Sequence, residues 1–510
     1  MARRPTTPSK NALIGAVIML ALCLLVSLAA NAGLGGWSMM SRQESDRSHA
    51  RAATLEAETD GAQRELQEAR DRIATLEAEP AQTPQAETPQ AETPEAPATQ
   101  PAEPTWTPEA SATEPTAILP TLHPDDVALM DTVEGQVVAL RGLETLRPVE
   151  RALMTQEQLV EYVTADFAAD FSPADARDYA LTLAAFDAVD PEIDMYNLLL
   201  DLYAEQIAGF YDTETEQIVV IAGAGPMGQM ERLTYAHEYT HALQDQHFDL
   251  DALGLGEDKY DDEYLNAGRA LVEGDATLLM QQFLATYYST DEMMALLEEM
   301  EEIETPVFDS APDVVSDGLM FHYTYGLAFA QALYDEGGWA AIDAAYANPP
   351  RSTEHILHPD RYLAGDAPLV VAMPPLTGTL GAGWRQVEAN VLGEYFIGYY
   401  LGQQLSSREA GEAAEGWGGD RYAVHYRESD GALVMALHVV WDSPADAEEF
   451  VDAYGAYADG RFAHSADVTE GALACWTGDD TLCLAWGPVD TTLVLGPDET
   501  TVTAVLEALE

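Results

Sequence analysis

Tyr235-Ala236-His237-Glu238-Tyr239-Thr240-His241-Ala242-Leu243 is the stretch on which the reading of this chain turns. As a helix it places His237 and His241 one turn apart, so that both imidazoles face one ion. Glu238 then sits roughly 100° around from His237, close enough to reach a metal-bound water but not the metal. The flanking positions are uncharged, as suits a buried helix, with Glu231 and Arg232 near its start. The bland alternative is an accidental pair of surface histidines.

Two histidines and a water leave zinc one protein ligand short. His247 lies six residues beyond His241, the spacing of the third histidine in metzincins. Those proteins break the helix with a glycine three residues after the second histidine, where this chain has Gln244. On an unbroken helix His247 is turned roughly 240° from His241 and faces elsewhere. Glu273 is the better candidate. It stands in Ala270-Leu271-Val272-Glu273-Gly274-Asp275-Ala276-Thr277, and a lone carboxylate in an apolar helical run is costly without a partner. A zinc ion is such a partner; Arg269, one turn earlier, is the structural alternative.

At these residues the chain resembles the gluzincins, the thermolysin-like class of zinc metallopeptidases whose third ligand is a Glu on a later helix. His237-Glu238-x-x-His241 with Glu273-Gly274-Asp275-Ala276 carries that resemblance. More narrowly, the chain looks like a group of uncharacterised exported prokaryotic proteins. They share Gln206-Ile207-Ala208-Gly209-Phe210-Tyr211-Asp212, the continuation Gln244-Asp245-Gln246, Ser352-Thr353-Glu354-His355-Ile356-Leu357-His358-Pro359 and Gly416-Trp417-Gly418-Gly419-Asp420-Arg421. The chain departs from thermolysin in that Asp275 follows the Glu by two residues rather than four, and no segment matches thermolysin's transition-state histidine. The resemblance implies zinc as cofactor, His237, His241 and Glu273 as ligands, Glu238 as general base, and a peptide or protein substrate. Tyr323, Tyr325, His355 and His358 are candidates for contacts to the substrate or transition state. The strand at 217–222 is a candidate edge for an extended peptide, with an ordinary core strand as the alternative.

The expected fold is α+β: a mainly helical, zincin-like domain with a small edge sheet over 121–415, then a smaller α+β domain over 416–510. Helical patterns cover 159–171, 173–189 and 191–209, and strands pair at 209–212 and 217–222. Beyond 416, strands at 422–427 and 433–441 precede a helix after Ser443-Pro444, further strands and a last helix from Thr500. Cys475 and Cys483 flank a Gly-Asp turn between two short strands. They are placed to close a disulfide, or else remain two buried thiols.

Upstream the texture changes three times. A basic tail (1–10, with Arg3, Arg4 and Lys10) precedes an apolar run at 11–36 whose heart, 12–30, is long enough to span a bilayer. Ala30-Asn31-Ala32 also fits a signal-peptide cleavage site, so anchor and cleaved signal both stand, and either exports the chain. Residues 41–79 read as a coiled-coil stalk, with Leu55, Ala62, Ala69 and Leu76 in one register and Thr59, Leu66 and Ile73 in the other. Such a stalk allows oligomers. The ten prolines of 80–120 make a semi-extended linker.

The chain carries 88 Asp+Glu against 23 Lys+Arg, a net charge of -65, and its lysines are Lys10 and Lys259. So acidic a surface repels phosphate backbones, which excludes nucleic acid as a partner. It suits a protein that works in multimolar salt, where screening suppresses self-repulsion, and points to an extreme halophile, archaeal in the first instance. The whole reads as a membrane-tethered or exported zinc endopeptidase with its catalytic domain outside the cell. The rivals are a surface binding protein with structural zinc, and a zinc hydrolase acting on another substrate.

Overall fold

The computed structural model describes residues 124–510 except 208, 222–225, 256–260, 302, 470 and 510. The expected basic tail, anchor, stalk and linker therefore lie outside the described residues. Among those described, no helix is long and apolar enough to cross a membrane.

In chain order the first part runs α1 (Pro124–Arg141), β1 (Glu150–Met154), α2 (Gln156–Asp170), α3 (Pro173–Ala185), α4 (Met195–Gln206), β2 (Gly209–Asp212), β3 (Gln217–Ile221), α5 (Gln229–Phe248), α6 (Asp262–Tyr287), α7 (Thr290–Glu301), α8 (Asp313–Gly337), α9 (Trp339–Ala347) and α10 (Thr353–Leu357). Local chemistry starts several of these. Thr155 and Gln158 exchange capping bonds ahead of α2, and Ser172 and Asp175 do so ahead of α3, where Pro173 takes the first position. α4 is shorter than the helix expected at 191–209. Asp194 caps it by accepting from Asn197 N at 3.2 Å, and β pairing begins at Gly209.

β1 pairs parallel with β3 and β2 pairs antiparallel on the other side, giving the order β1-β3-β2. This corrects the expectation of a peptide-binding edge at 217–222. β3 is the central strand with both sides engaged, because β1 arrives from far upstream and no local pattern announces it. α6 and α8 meet backbone to backbone. A Cβ on Gly274 would lie 2.1 Å from Gly326 O, and one on Gly326 would lie 2.3 Å from Ala270 O.

The second part holds β4 (Trp384–Asn390), α11 (Gly393–Gly402), α12 (Ser407–Ala414), β5 (Trp417–Arg427), β6 (Ala432–Trp441), α13 (Pro444–Phe462), β7 (Val468–Thr469), β8 (Leu473–Thr477), β9 (Thr481–Trp486), β10 (Asp490–Gly496) and α14 (Glu499–Leu509). Its antiparallel sheet has the order β4-β5-β6-β10-β9-β8-β7. Phe450, Tyr454 and Tyr457 of α13 pack on one face with Trp417, Trp441 and Trp476, which are core residues. Val502 and Val505 of α14 pack on the other face with Val434 and Val494. Cys475 and Cys483 sit opposite each other on β8 and β9 and are joined as a disulfide.

The sheet begins at Trp384, so a boundary at 416 cuts off its first strand. A bulge between Gln386 and Glu388 breaks the alternation of β4 and hides it from a period-two reading. Leu181 and Ala185 of α3 and the following Phe186 also enter the core under the sheet. The architecture is thus α+β and mainly helical, and one of its hydrophobic clusters draws residues from both parts.

Buried carboxylates lie on each side of the joint between them, where Gly393 meets Glu263. Glu263, near the start of α6, accepts from Thr353 N at 2.7 Å and Thr353 Oγ1 at 2.9 Å. Asp420 of β5 accepts from Leu392 N, Gly393 N and Trp417 Nε1, each at 2.8 Å. Burial pushes the Glu263 carboxyl well above its usual range and that of Asp420 up to about 6. Gly393, at φ 82°, has no room for a Cβ, which would fall 1.9 Å from Glu263 Cδ.

Candidate metal centre

α5 starts where acidic side chains meet its free amides. Glu231 accepts from Gly228 N, and Glu299 of α7 accepts from Gln229 N and Met230 N. From Arg232 to Gln244 every residue is buried, with the three-stranded sheet, α1, α6 and α7 packed around the helix.

His237, His241 and Glu273 converge. The two Nε2 atoms are 3.0 Å apart, and Glu273 Oε2 lies 3.2 Å from His237 Nε2 and 3.6 Å from His241 Nε2. A tetrahedral zinc with bonds of roughly 2.0–2.1 Å separates its ligand atoms by about 3.3 Å, so this donor set and spacing fit the ion. The histidines are fully buried and Glu273 is 3% exposed. Burial alone would raise the Glu273 carboxyl. The His241 charge and the hydrogen bonds of both rings outweigh it and hold the group at about 2. In the same way burial lowers His241, yet Glu273 lifts it to about 9. Arg269 is not the partner of Glu273; its guanidinium reaches Leu255 O at 3.1 Å.

Glu238 is fully buried beside them. Its Oε2 accepts from Tyr211 N of β2 at 2.8 Å, while Oε1 has no hydrogen-bond partner. Burial pushes its carboxyl up to about 8.

Each residue of Gln244-Asp245-Gln246 has its own contact. Gln244 Oε1 lies 2.7 Å from His241 Nδ1, and its amide nitrogen donates to Val272 O and Asp275 Oδ2 at 3.0 Å each. Asp245 accepts from Tyr211 Oη at 2.9 Å and from Arg147 at 3.2 Å. Gln246 clamps the loop before β1 through Leu146 N, Arg147 N and Arg147 O. Asp275 in turn receives Arg141 Nε at 2.9 Å, Arg141 Nη2 at 3.1 Å and Tyr346 Oη at 2.8 Å. Sequence reasoning missed Arg141, Asp275 as an indirect support, and Tyr346. It treated Gln244 as a departure from another family, although a glutamine at i+3 from a metal-facing histidine was itself the available signal.

Of the other candidates, His247 Nε2 meets Glu144 O at 2.8 Å, since α5 runs unbroken to Phe248. The structure does not bring His355 or His358 to the cluster. His355 Nδ1 accepts from Arg351 N, and His358 pairs with Glu394 at 2.7 Å. Both lie near Thr353, whose partner Glu263 is ten residues before Glu273, roughly 15 Å along α6. Tyr325 is 40% exposed and packs against Phe321 and Tyr395. His322 of α8, which sequence reasoning passed over beside Tyr323, is buried against Asn266 Oδ1 at 3.2 Å. Burial and Arg269 hold it neutral, down to about 3, while the Glu273 charge pulls the other way. A second acidic group, Glu354, Asp366 and Asp442, surrounds the Arg361 guanidinium, which already supplies its cation.

Residues 380–506 match the family described as Domain of unknown function (DUF8575). That span covers the sheet from just before β4 and excludes His237, His241 and Glu273. No curated protein and no solved structure matches the chain.

Proposed function

We propose that this chain is a zinc-dependent peptidase with a zincin-like helical domain, exported or held to a membrane by its apolar 11–36 segment and working in high salt. One observation carries the reading: three ligand atoms 3.0 to 3.6 Å apart stand beside a buried carboxylate that is pinned by one oxygen and unpartnered at the other. His237 Nε2, His241 Nε2 and the Glu273 carboxylate would hold the ion. Zinc, when bound, supplies a Lewis acid that polarises a carbonyl and makes water nucleophilic near neutral pH. Tyr211 N fixes the Glu238 side chain, leaving Oε1 to receive a proton from the attacking water. The same carboxyl, once protonated, can pass that proton to the leaving amine.

The rival, a structural zinc in a surface binding protein, gives Glu238 nothing to do. Burying an unpaired carboxylate oxygen is costly, and a structural site has no need to bear it. The acidic composition supports the high-salt setting, and the Cys475–Cys483 disulfide supports an oxidising one.

The test is zinc content and casein cleavage by the full chain in multimolar KCl, alongside Glu238→Gln. We expect stoichiometric zinc in both proteins, with turnover in the variant lower by roughly 10²–10⁴-fold. Zinc binding with equal turnover, or with none in the wild type, would hand the reading to the structural site.

A further inference from the structure

We propose that Gln244 is a positioning residue that fixes which nitrogen of His241 faces the metal, with Asp275 and Arg141 holding Gln244 in turn. This rests on the zinc reading above. A glutamine amide has one accepting and one donating end, and its orientation is settled by its neighbours. Here one end meets two groups that can accept but not donate, the Val272 carbonyl and the Asp275 carboxylate, at 3.0 Å each. The NH2 must therefore occupy that end, which turns Oε1 toward His241 Nδ1 at 2.7 Å. An oxygen without hydrogens can only accept, so Nδ1 carries a proton, and Nε2 is the nitrogen that faces the cluster and gives up its proton when metal binds.

Asp275 cannot turn away, since Arg141 grips both of its oxygens and Tyr346 Oη adds a third donor. Arg141 is itself fixed, fully buried beneath Trp339 with its centre 4.6 Å from the ring centroid and paired to Asp343 at 2.7 Å. His237 has no such support, because its Nδ1 is buried without a partner. The two histidines are thus unequal: His241 is set for the metal before it arrives, and His237 is not. Groups that orient a ligand through its far nitrogen typically change metal affinity 10–100-fold when removed.

The experiment is a zinc competition titration on the full chain in high salt, with the melting temperature of the metal-free protein as a folding control. Gln244→Met keeps the volume and removes both hydrogen-bonding ends. It is expected to weaken zinc 10–100-fold while the metal-free protein still melts cooperatively. The exchange Gln244→Glu with Asp275→Asn keeps an acceptor for His241 Nδ1 but sets a carboxylate oxygen against Val272 O and an amide nitrogen against Arg141, so it should recover part of that loss. A folded Gln244→Met protein with wild-type affinity overturns the proposal. If Gln244→Met does not fold, the double exchange decides alone, and a folded double variant as weak as an unsupported site overturns it. A wild type that binds no zinc defeats the zinc reading instead, which keeps the two failures apart.

Discussion

Removing the Glu273 carboxylate leaves two imidazole nitrogens facing each other at 3.0 Å with nothing anionic between them. Glu273→Ala is therefore expected to lose zinc by 10–100-fold or more in a chelator competition, by analogy with supporting residues that cost that much. His247→Ala, whose ring meets the Glu144 carbonyl at the end of α5, is expected to titrate like wild type. The reverse result would show a third histidine coming round from a broken helix, and would reject Glu273 as a ligand. At this scale the sequence is legible where helical geometry does the work. The i, i+4 pair, the turned-away His247 and the stranded carboxylate all follow from 3.6 residues per turn. The supports are not legible in that way. Arg141 lies 134 residues from Asp275, and nothing in either neighbourhood points to the other. Tyr211 reaches Glu238 through a backbone amide, which no side-chain pattern encodes.

Among the elements, the crossing of α6 and α8 gives the sharpest expectation. Gly274 and Gly326 let the backbones touch, and a methyl group on either meets a carbonyl that cannot swing aside. Gly326→Ala should destabilise the fold by roughly 1–3 kcal/mol, the usual range for overpacking, and weaken zinc as well, because Glu273 precedes Gly274. An unchanged urea midpoint would mean that the helices do not meet there. Elements with a strong local signal, such as α2 and α3 with their capping residues, stand out in the sequence. β1 and β4 do not. β1 owes its existence to a distant parallel partner, and β4 is bulged, so the pairing that creates each strand is absent from its own few residues. The same cause misplaces the boundary at 416, since α11 and α12 separate β4 from the rest of its sheet.

Across the whole molecule, arginine is scarce and is shared. Arg461 bridges Asp187 and Asp480, Arg151 bridges Asp131 and Glu134, and Arg147 bridges Glu216 and Asp245. With 88 acidic side chains against 23 basic ones, the basic charge falls far short of offsetting the mutual repulsion of the carboxylates. Salt at 1 M shortens the screening length to about 3 Å. The melting temperature should therefore climb steeply between dilute buffer and multimolar KCl, and a flat profile in a thermal scan would count against adaptation to brine. α1 matters here in a different way. It is the first described element, and its last residue, Arg141, is the guanidinium beneath Asp275. A cut within 80–120 would leave Arg141 on the same piece of chain as Asp275. A cut in the connection at 142–149 would leave the guanidinium held to Asp275 only by the packing of α1, so the two cuts differ by the side of these eighteen residues on which they fall.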